Sequence, residues 1–331
     1  MLSGRHHAGK CKISIFTRMV FMLVQESGGF FGNRCASTFS IVGFDPVTKD
    51  LGVAVQSRYF SVGPVVPWAE AEVGAVATQS FVNVSYGPKG LELLRRGLTV
   101  EEVIDKLTRA DKGREMRQLG IVDARGNAAA YTGKKCMEWA GSFVGENYSA
   151  QGNILANERV VNQMGRRFES SKGDLADKLV AALEGGEASG GDARGRQSAA
   201  ILVVRKGKGR GDFGDRLVDL RVEDHTDPIA ELKRLLKLHR VYYLIDEAET
   251  QLALKQTKKA LATIRNAIRL DPRSDDAYLD LAILYVKIGE MEKAKEAFRQ
   301  TVCLNPRMEG VIKQLPKVGV IKVPKGFFED L

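Results

Sequence analysis

Asp271-Pro272 and Asn305-Pro306 lie 34 residues apart, each closing a similar stretch, "AIRLDP" and "TVCLNP". A fixed period of that length marks a repeated pair of antiparallel helices, so the end of the chain is committed to stacked helices before any other element is considered. In the second copy Tyr278, Leu281, Ala282, Tyr285, Gly289, Ala294, Phe298 and Pro306 stand where such a unit needs them. Small alanines let the two helices approach, and Phe298 fills the gap between them. The first copy, from about Val241, keeps Ala248, Ala260 and Ile264 in register but carries Gln251 and Lys255 where the second has Tyr285 and Gly289. Since a solenoid usually needs about three units to bury its faces, the helix "PIAELKRLLKLH" and the tail "GFFEDL" are expected to lean on these two.

Upstream of Asp227 the pattern is different. "TFSIVGF" and "LGVAVQS" alternate as strands around the polar "DPVTKD", and Val73 to Phe81 reads as a third strand pressed between layers. "GPKGLELLRRG" predicts a short helix ended by Gly97, and Thr99 with Glu102 predicts a capping box ahead of "VIDKL". Strands return in "QLGIVDARGNAAAYTG", turning at Ala124 to Asn127, and a helical region broken near Gly173 follows from Glu158 to Glu187. "SAAILVVRK" and "DRLVDLRV" add two more strands. Segregated blocks of strands and helices predict an α+β fold with antiparallel sheets, which a four-layer αββα sandwich accommodates. The expected domains are an N-terminal extension (1–37), the α+β unit (38–240), the helical repeats (241–308) and a C-terminal tail (309–331).

The net charge of +9 resembles a nucleic-acid signal until it is divided along the chain. Residues 1–36 carry five Lys/Arg against one acid, and residues 228–331 carry nineteen against fourteen, which leaves 37–227 neutral. No phosphate track and no P-loop motif is written there, so nucleic acid and nucleotide are not expected partners. The cysteines at 11, 35, 136 and 303 have no metal-knuckle spacing, and only His225 and His239 lie beyond the extension. No metal and no cofactor is expected, and hydrolysis here would run without imidazole. Ile13 to Val24 is apolar but interrupted by Arg18 and too short to span a bilayer. The expected location is the cytoplasm; export or membrane-surface attachment through residues 1–37, or an upstream start, are the alternatives.

A threonine hydroxyl needs a base, and its own α-amine, with a pKa near about 8, supplies one when the residue is an N-terminus. That need directs attention to Thr38. Together with "VVPWAEAEVGAVATQSFVNVSYGPKGLELL", "YSAQGNILAN", "GGDARGRQSAAILVV" and "DRLVDLRVEDHTDPIAEL", the run from Thr38 to Ser57 resembles the bacterial and archaeal family catalogued as domain of unknown function 1028, over roughly Thr38 to His239. The resemblance implies an Ntn-hydrolase-like αββα fold and places the N-terminal nucleophile at Thr38. The tail resembles tetratricopeptide repeats. The chain departs from the family pattern at its front, where 37 residues precede Thr38, so the nucleophile requires a cut at Ser37-Thr38 or a later start. Ser57 stands where proteasome-type relatives carry Asp, and no Lys or Arg occurs from Tyr59 to Pro88, so the α-amine would act more nearly alone, with Arg58 as a tuning residue.

Asn153 first and Gln151 second are the expected oxyanion donors, from a polar interruption around Gly152. Asp192, Arg194, Arg196 and Gln197 share a glycine-rich loop, where paired arginines suit a substrate carboxylate or else pair with local acids. Asn83 and Tyr86 join a strand to a helix whose N-terminal amides face a ligand or serve only structure. Two functions follow. One is an amidohydrolase acting on a small amide or peptide-like substrate; the other is an inactive scaffold whose repeats bind a protein partner. The basic excess of the tail favours an acidic partner, and layered folds of this kind favour a homo-oligomer.

Overall fold

The computed structural model describes residues 35–36, 38–209 and 213–329. The readings made of residues 1–34 and of Ser37 lie outside the described residues. In chain order the described strands are β1 (Cys35–Ala36), β2 (Thr38–Phe44), β3 (Leu51–Ser57), β4 (Pro67–Glu70), β5 (Gly74–Phe81), β6 (Arg117–Asp123), β7 (Ala128–Thr132), β8 (Gly141–Gly145), β9 (Tyr148–Gly152), β10 (Ser198–Val204) and β11 (Arg216–Val222). The helices are α1 (Tyr86–Arg95), α2 (Val100–Arg109), α3 (Arg159–Ser170), α4 (Leu175–Ala188), α5 (Pro228–Ala253), α6 (Thr257–Leu270), α7 (Asp275–Lys287), α8 (Met291–Leu304) and α9 (Met308–Ile312).

Two antiparallel sheets result. The first runs β11-β10-β3-β2-β9-β8; in the second, β7, β6 and β5 are neighbours and β4 and β1 share the far edge of β5. Every residue of β2 and β3 is buried, because both faces of these central strands are covered. That is why the two runs are rich in Val, Ile, Gly and Ala. Their turn is opened by Asp45, whose Oδ1 accepts from the amides of Val47 (2.8 Å) and Thr48 (3.1 Å), an arrangement that lets Asp imitate a backbone turn.

Alternation assigns each side chain to a layer. Phe39 and Ile41 of β2 point outward into a cluster with Met164, Leu179, Leu183, Ile201 and Leu232, which seats α3, α4 and the start of α5 on the first sheet. Val42, Val53 and Val55 point the other way, toward Ala75, Ala77 and Val122 of the second sheet. The outer face of that sheet, Val76, Leu119 and Ile121, receives Leu91, Leu94, Val103 and Leu107 from α1 and α2. Fully burying each such aliphatic or aromatic side chain stabilises by roughly 1.5–3 kcal/mol. The Thr99–Glu102 capping box closes the start of α2 as expected, with Thr99 Oγ1 accepting from the Glu102 amide and Glu102 Oε2 from the Thr99 amide. Gly173, with φ 111, separates α3 from α4 at a backbone conformation that side-chain-bearing residues avoid.

The tail is helical, as its period requires. Helices α7 and α8 turn at Gly289, φ 84, and bury Ala282, Ala294 and Phe298 together. Helix α5 is the unexpected element. Its 26 residues run about 39 Å without a break. Ile229, Leu232 and Leu236 belong to the cluster on the first sheet, whereas Val241, Ile245 and Ala248 belong to the tail. The expected boundary at 240/241 therefore falls inside a continuous helix, where one set of neighbours replaces another.

Candidate functional site

Between the sheets the packing is apolar at one end and polar at the other. Inward-facing positions at the polar end are filled by Thr38, Ser40, Ser57, Gln79, Gln118, Ser149, Gln151 and Asn153, all fully buried. A buried amide costs several kcal/mol unless it is hydrogen-bonded, and these amides bond one another. Ser40 Oγ donates to Gln79 Oε1 (2.6 Å), and Gln151 Nε2 donates to Ser40 Oγ (2.7 Å). Ser149 Oγ donates to Gln151 Oε1 (2.9 Å). Gln118 is the hub: its Oε1 accepts from Gln79 Nε2 and Asn153 Nδ2, both at 2.9 Å, while its Nε2 donates to the Gly152 carbonyl (2.7 Å) and to Thr132 Oγ1 (2.9 Å). The network ties the two sheets together and contains no charged side chain. Gly120 on β6 leaves the room it needs, since a Cβ there would fall inside the Gln151 amide.

Thr38 sits at the rim of this network. It faces Ser57 across the β2–β3 ladder, and its Oγ1 donates to Ser57 Oγ at 3.3 Å. Its carbonyl accepts from the Asn153 amide (3.1 Å) and from Gln79 Nε2 (3.4 Å). Asn153 thus stands across from Thr38 on the other flank, just beyond the end of β9. The buried Asn153 Oδ1 has no hydrogen-bond partner among the described residues, whereas the Ser80 hydroxyl lies against the Cys136 thiol. Ser80 is also held at φ 70, a left-handed conformation that costs a serine energy and that clusters at functional sites.

The loop 190–197 lies at the same end of the first sheet. Asp192, with no side-chain exposure, accepts from the Arg58 amide (3.0 Å) and pairs with Arg194 (2.9 Å). Arg58 donates from Nη1 to Gln197 Oε1 (2.6 Å), and the Gln197 amide bonds the Ser57 carbonyl (3.1 Å). Arg196 is paired with Glu187 (2.5 Å) and Asp227 (3.4 Å). Both arginines expected to hold a substrate carboxylate are therefore engaged with acids of the chain itself, the local pairing that the sequence left open.

The structure thus gathers Thr38, Ser57, Arg58, Gln151, Asn153, Asp192, Arg194 and Gln197 at one end of the first sheet. Asn83 and Tyr86 belong to a separate bracket on the second sheet. There Asp111 Oδ2 accepts from Asn83 Nδ2 (3.0 Å), Tyr86 Oη (3.0 Å) and Arg117 Nε (2.9 Å). Burial opposes ionisation of Asp111, but the donors from Arg117, Asn83 and the Gly113 amide outweigh it and hold the carboxyl down at about 2. Burial, followed by the negative charge of Asp111, pushes the Tyr86 phenol up. Arg117 also bonds the Phe81 carbonyl, so the bracket braces the last residues of β5.

Gln79 and Gln118 escaped the sequence reading. The signal was there, an amide at an inward-facing place of an otherwise apolar strand in "VATQSF" and "RQLGIVD". Gln151 also changes standing: it lies within β9, a strand, and not in a turn.

In the tail, α5, α6 and α7 enclose a groove of about 420 Å³ with an apolar floor of Leu252, Ile264, Ile283 and Leu284. The charges on its lining are mixed, Glu249 and Asp280 beside Lys255 and Lys287. Asp280 lines the groove, and burial first, then Glu249, Asp276 and Asp246, push its carboxyl up to about 7. A carboxyl with a raised folded pKa binds more protons folded than unfolded, so its contribution to stability falls as pH rises from about 4 to about 7. Asp280→Asn is expected to remove that fall, with a gain of up to about 4 kcal/mol at pH 8 and little change near pH 4, read from urea midpoints. Parallel pH profiles for the two proteins would refute it.

The model of the family of unknown function DUF1028 matches residues 38–232, more than half of the chain, and the protein belongs to that family. A tetratricopeptide-repeat model matches residues 251–302. The fold is similar to the crystal structure of protein SPO2555 from Silicibacter pomeroyi, of the same family, at 32% identity and a TM-score of 0.56, covering 61% of this chain and 85% of that one. No curated protein matches the sequence. Among the described residues no helix is long and apolar enough to cross a membrane, and no group of three or more His, Cys, Asp or Glu side chains is placed to hold a metal ion.

Proposed function

We propose that residues 38–232 form an N-terminal-nucleophile amidohydrolase, an αββα sandwich in which Thr38 becomes the nucleophile once residues 1–37 are removed. The observation that carries this reading is the place of Thr38: the first residue of an inner strand, with its hydroxyl 3.3 Å from Ser57 Oγ at the edge of a buried amide network between two sheets. Maturation begins when Thr38 Oγ1 attacks the Ser37 carbonyl, breaking the bond to the Thr38 nitrogen and leaving an ester; water then releases residues 1–37 as a carboxylate. The freed α-amine is the base. Among uncharged buried groups its protonated form is disfavoured, which lowers its pKa from about 8 and leaves more of it as the free amine at physiological pH.

Turnover repeats the same chemistry on a substrate amide. The α-amine takes the Oγ1 proton, Oγ1 bonds the carbonyl carbon, and the proton passes to the departing amine; water then hydrolyses the ester. Donors for the oxyanion come from the Asn153 side chain or from backbone amides beside it, while Gln151 and Gln118 hold that end of β9 in place. N-terminal sequencing of the purified protein, with an electrophile that captures terminal threonines, tests the reading. A mature chain beginning at Thr38 supports it, and turnover by a chain with Met1 intact overturns it.

A second reading, a scaffold whose tail binds a partner, is favoured by one observation. Thr38 is fully buried, whereas the tail groove combines an apolar floor with charges of both signs, Glu249 and Asp280 beside Lys255 and Lys287. This reading expects an apolar amphipathic helical peptide to bind the protein and to be lost, by at least about tenfold in Kd, on Leu252→Lys with Ile283→Lys. Equal binding by both proteins would dismiss it.

A further inference from the structure

The last residues of the leader occupy a specific place. β1 pairs antiparallel with β5, Cys35 opposite Phe81 and Ala36 opposite Ser80, while β4 takes the same edge of β5 lower down, at Gly74 to Ala77. Two residues after Ala36 the chain is already in the other sheet, where Thr38 faces Ser57. The chain therefore leaves the edge of β5 at Ala36 and has entered β2 at Thr38, so Cys35 and Ala36, on the acyl side of the Thr38 amide bond, are laid along β5.

A two-residue strand is held by few hydrogen bonds, so once its covalent link is cut the pairing of Cys35 and Ala36 with β5 has little to keep it in place. The edge of β5 at Ser80 and Phe81 is then unpaired beside Thr38. Two features already single out that spot: the left-handed Ser80 and the unpartnered Asn153 Oδ1 across from Thr38. Arg117 and its Asp111 bracket keep the Phe81 backbone rigid from the far side.

A single nucleophile attacks every carbonyl from the same direction. The acyl portion of a substrate must then lie where the acyl portion of the leader lies. We propose that the exposed end of β5 is a peptide-binding subsite. It takes an extended chain of L-amino acids, at least three residues on the acyl side of the cleaved amide, as an added antiparallel strand. This rests on the Thr38 reading for its catalytic meaning, and it makes the substrate an oligopeptide instead of a small acyl amide. Backbone pairing supplies the affinity, so the sequence of the bound segment is loosely specified.

The test uses the full-length Thr38→Ala chain, with residues 32–37 replaced by a protease recognition sequence cut immediately before position 38, so that no bound peptide is consumed. A synthetic peptide of leader residues 32–37 is titrated by calorimetry, beside copies N-methylated at Cys35 or at Ala36. Binding that weakens at least about tenfold in one of the two N-methylated copies is expected, since one of these amides faces β5. Hydrogen exchange gives an independent measure: of the backbone amides of Ser80 and Phe81, the one that faces β1 is expected to exchange at least about tenfold faster after the cut and to slow again with peptide. Absence of peptide binding, equal binding of all three peptides, or unchanged exchange on cutting overturns the subsite. The nucleophile is judged separately by the mass of the Thr38 protein. A chain that loses its leader but binds no peptide overturns the subsite and keeps the nucleophile. Binding without any leader loss supports the subsite and discards the nucleophile.

Discussion

Replacing Thr38 by Ala is expected to leave every molecule with residues 1–37 attached and to lower amide turnover by about 10⁴-fold or more. Loss of a nucleophile that no neighbour can replace leaves only the contribution of binding and oxyanion donors. Thr38→Ser keeps a hydroxyl and an amine on one residue and is expected to mature and to retain measurable turnover. Intact mass and turnover on a peptide amide check both. The alanine protein should lose none of its fold, because the Thr38 side chain donates one hydrogen bond, to Ser57, at a long 3.3 Å, and its carbonyl contacts persist in Ala. A Thr38→Ala protein that still sheds its leader without an added protease would show that another group performs the cut.

Gln118→Leu is expected to destabilise the protein by about 3–5 kcal/mol, near the upper end for a single substitution. Leucine matches the volume but strands the groups that Gln118 serves: Gln79 Nε2 and Asn153 Nδ2 lose their acceptor, and the Gly152 carbonyl loses a donor at 2.7 Å. Each buried group left unpaired costs about 1–3 kcal/mol, and the network links them. Chemical denaturation would measure the loss. A change below about 1 kcal/mol would mean that water enters the layer between the sheets and takes over these bonds.

The elements legible in the sequence were those whose local chemistry agrees with their surroundings. β2 and β3 were readable because each is apolar on both faces and bounded by a turn with Asp45 at its head. Helix α2 announced itself through Thr99 and Glu102. The short strands β4 and β8 carry no such mark: "PWAE" begins with proline, and "GSFVG" is flanked by glycine, so each exists through the neighbour it pairs with. β9 was read as a polar interruption because Ser149, Gln151 and Asn153 look like a loop. In the fold Ser149 and Gln151 are the inward-facing side of a strand, with Asn153 just past its end, and the partners of this stretch, Gln79 and Gln118, are 30 or more residues away. Pairwise satisfaction across two sheets is invisible in a linear pattern. The tail groove was hidden for a related reason, since its apolar floor is assembled from three helices and its charges, Glu249, Asp280, Lys255 and Lys287, are mixed.

Helix α5 makes the two halves of the protein share an axle. Each residue of an α-helix advances the azimuth by about 100°, so inserting a single residue between Leu236 and Val241 would swing the repeats around the sheet end by more than a quarter turn. Whatever the repeats grip is thereby presented at one bearing relative to Thr38. The register of that rod, more than any linker length, decides what the two ends can reach together.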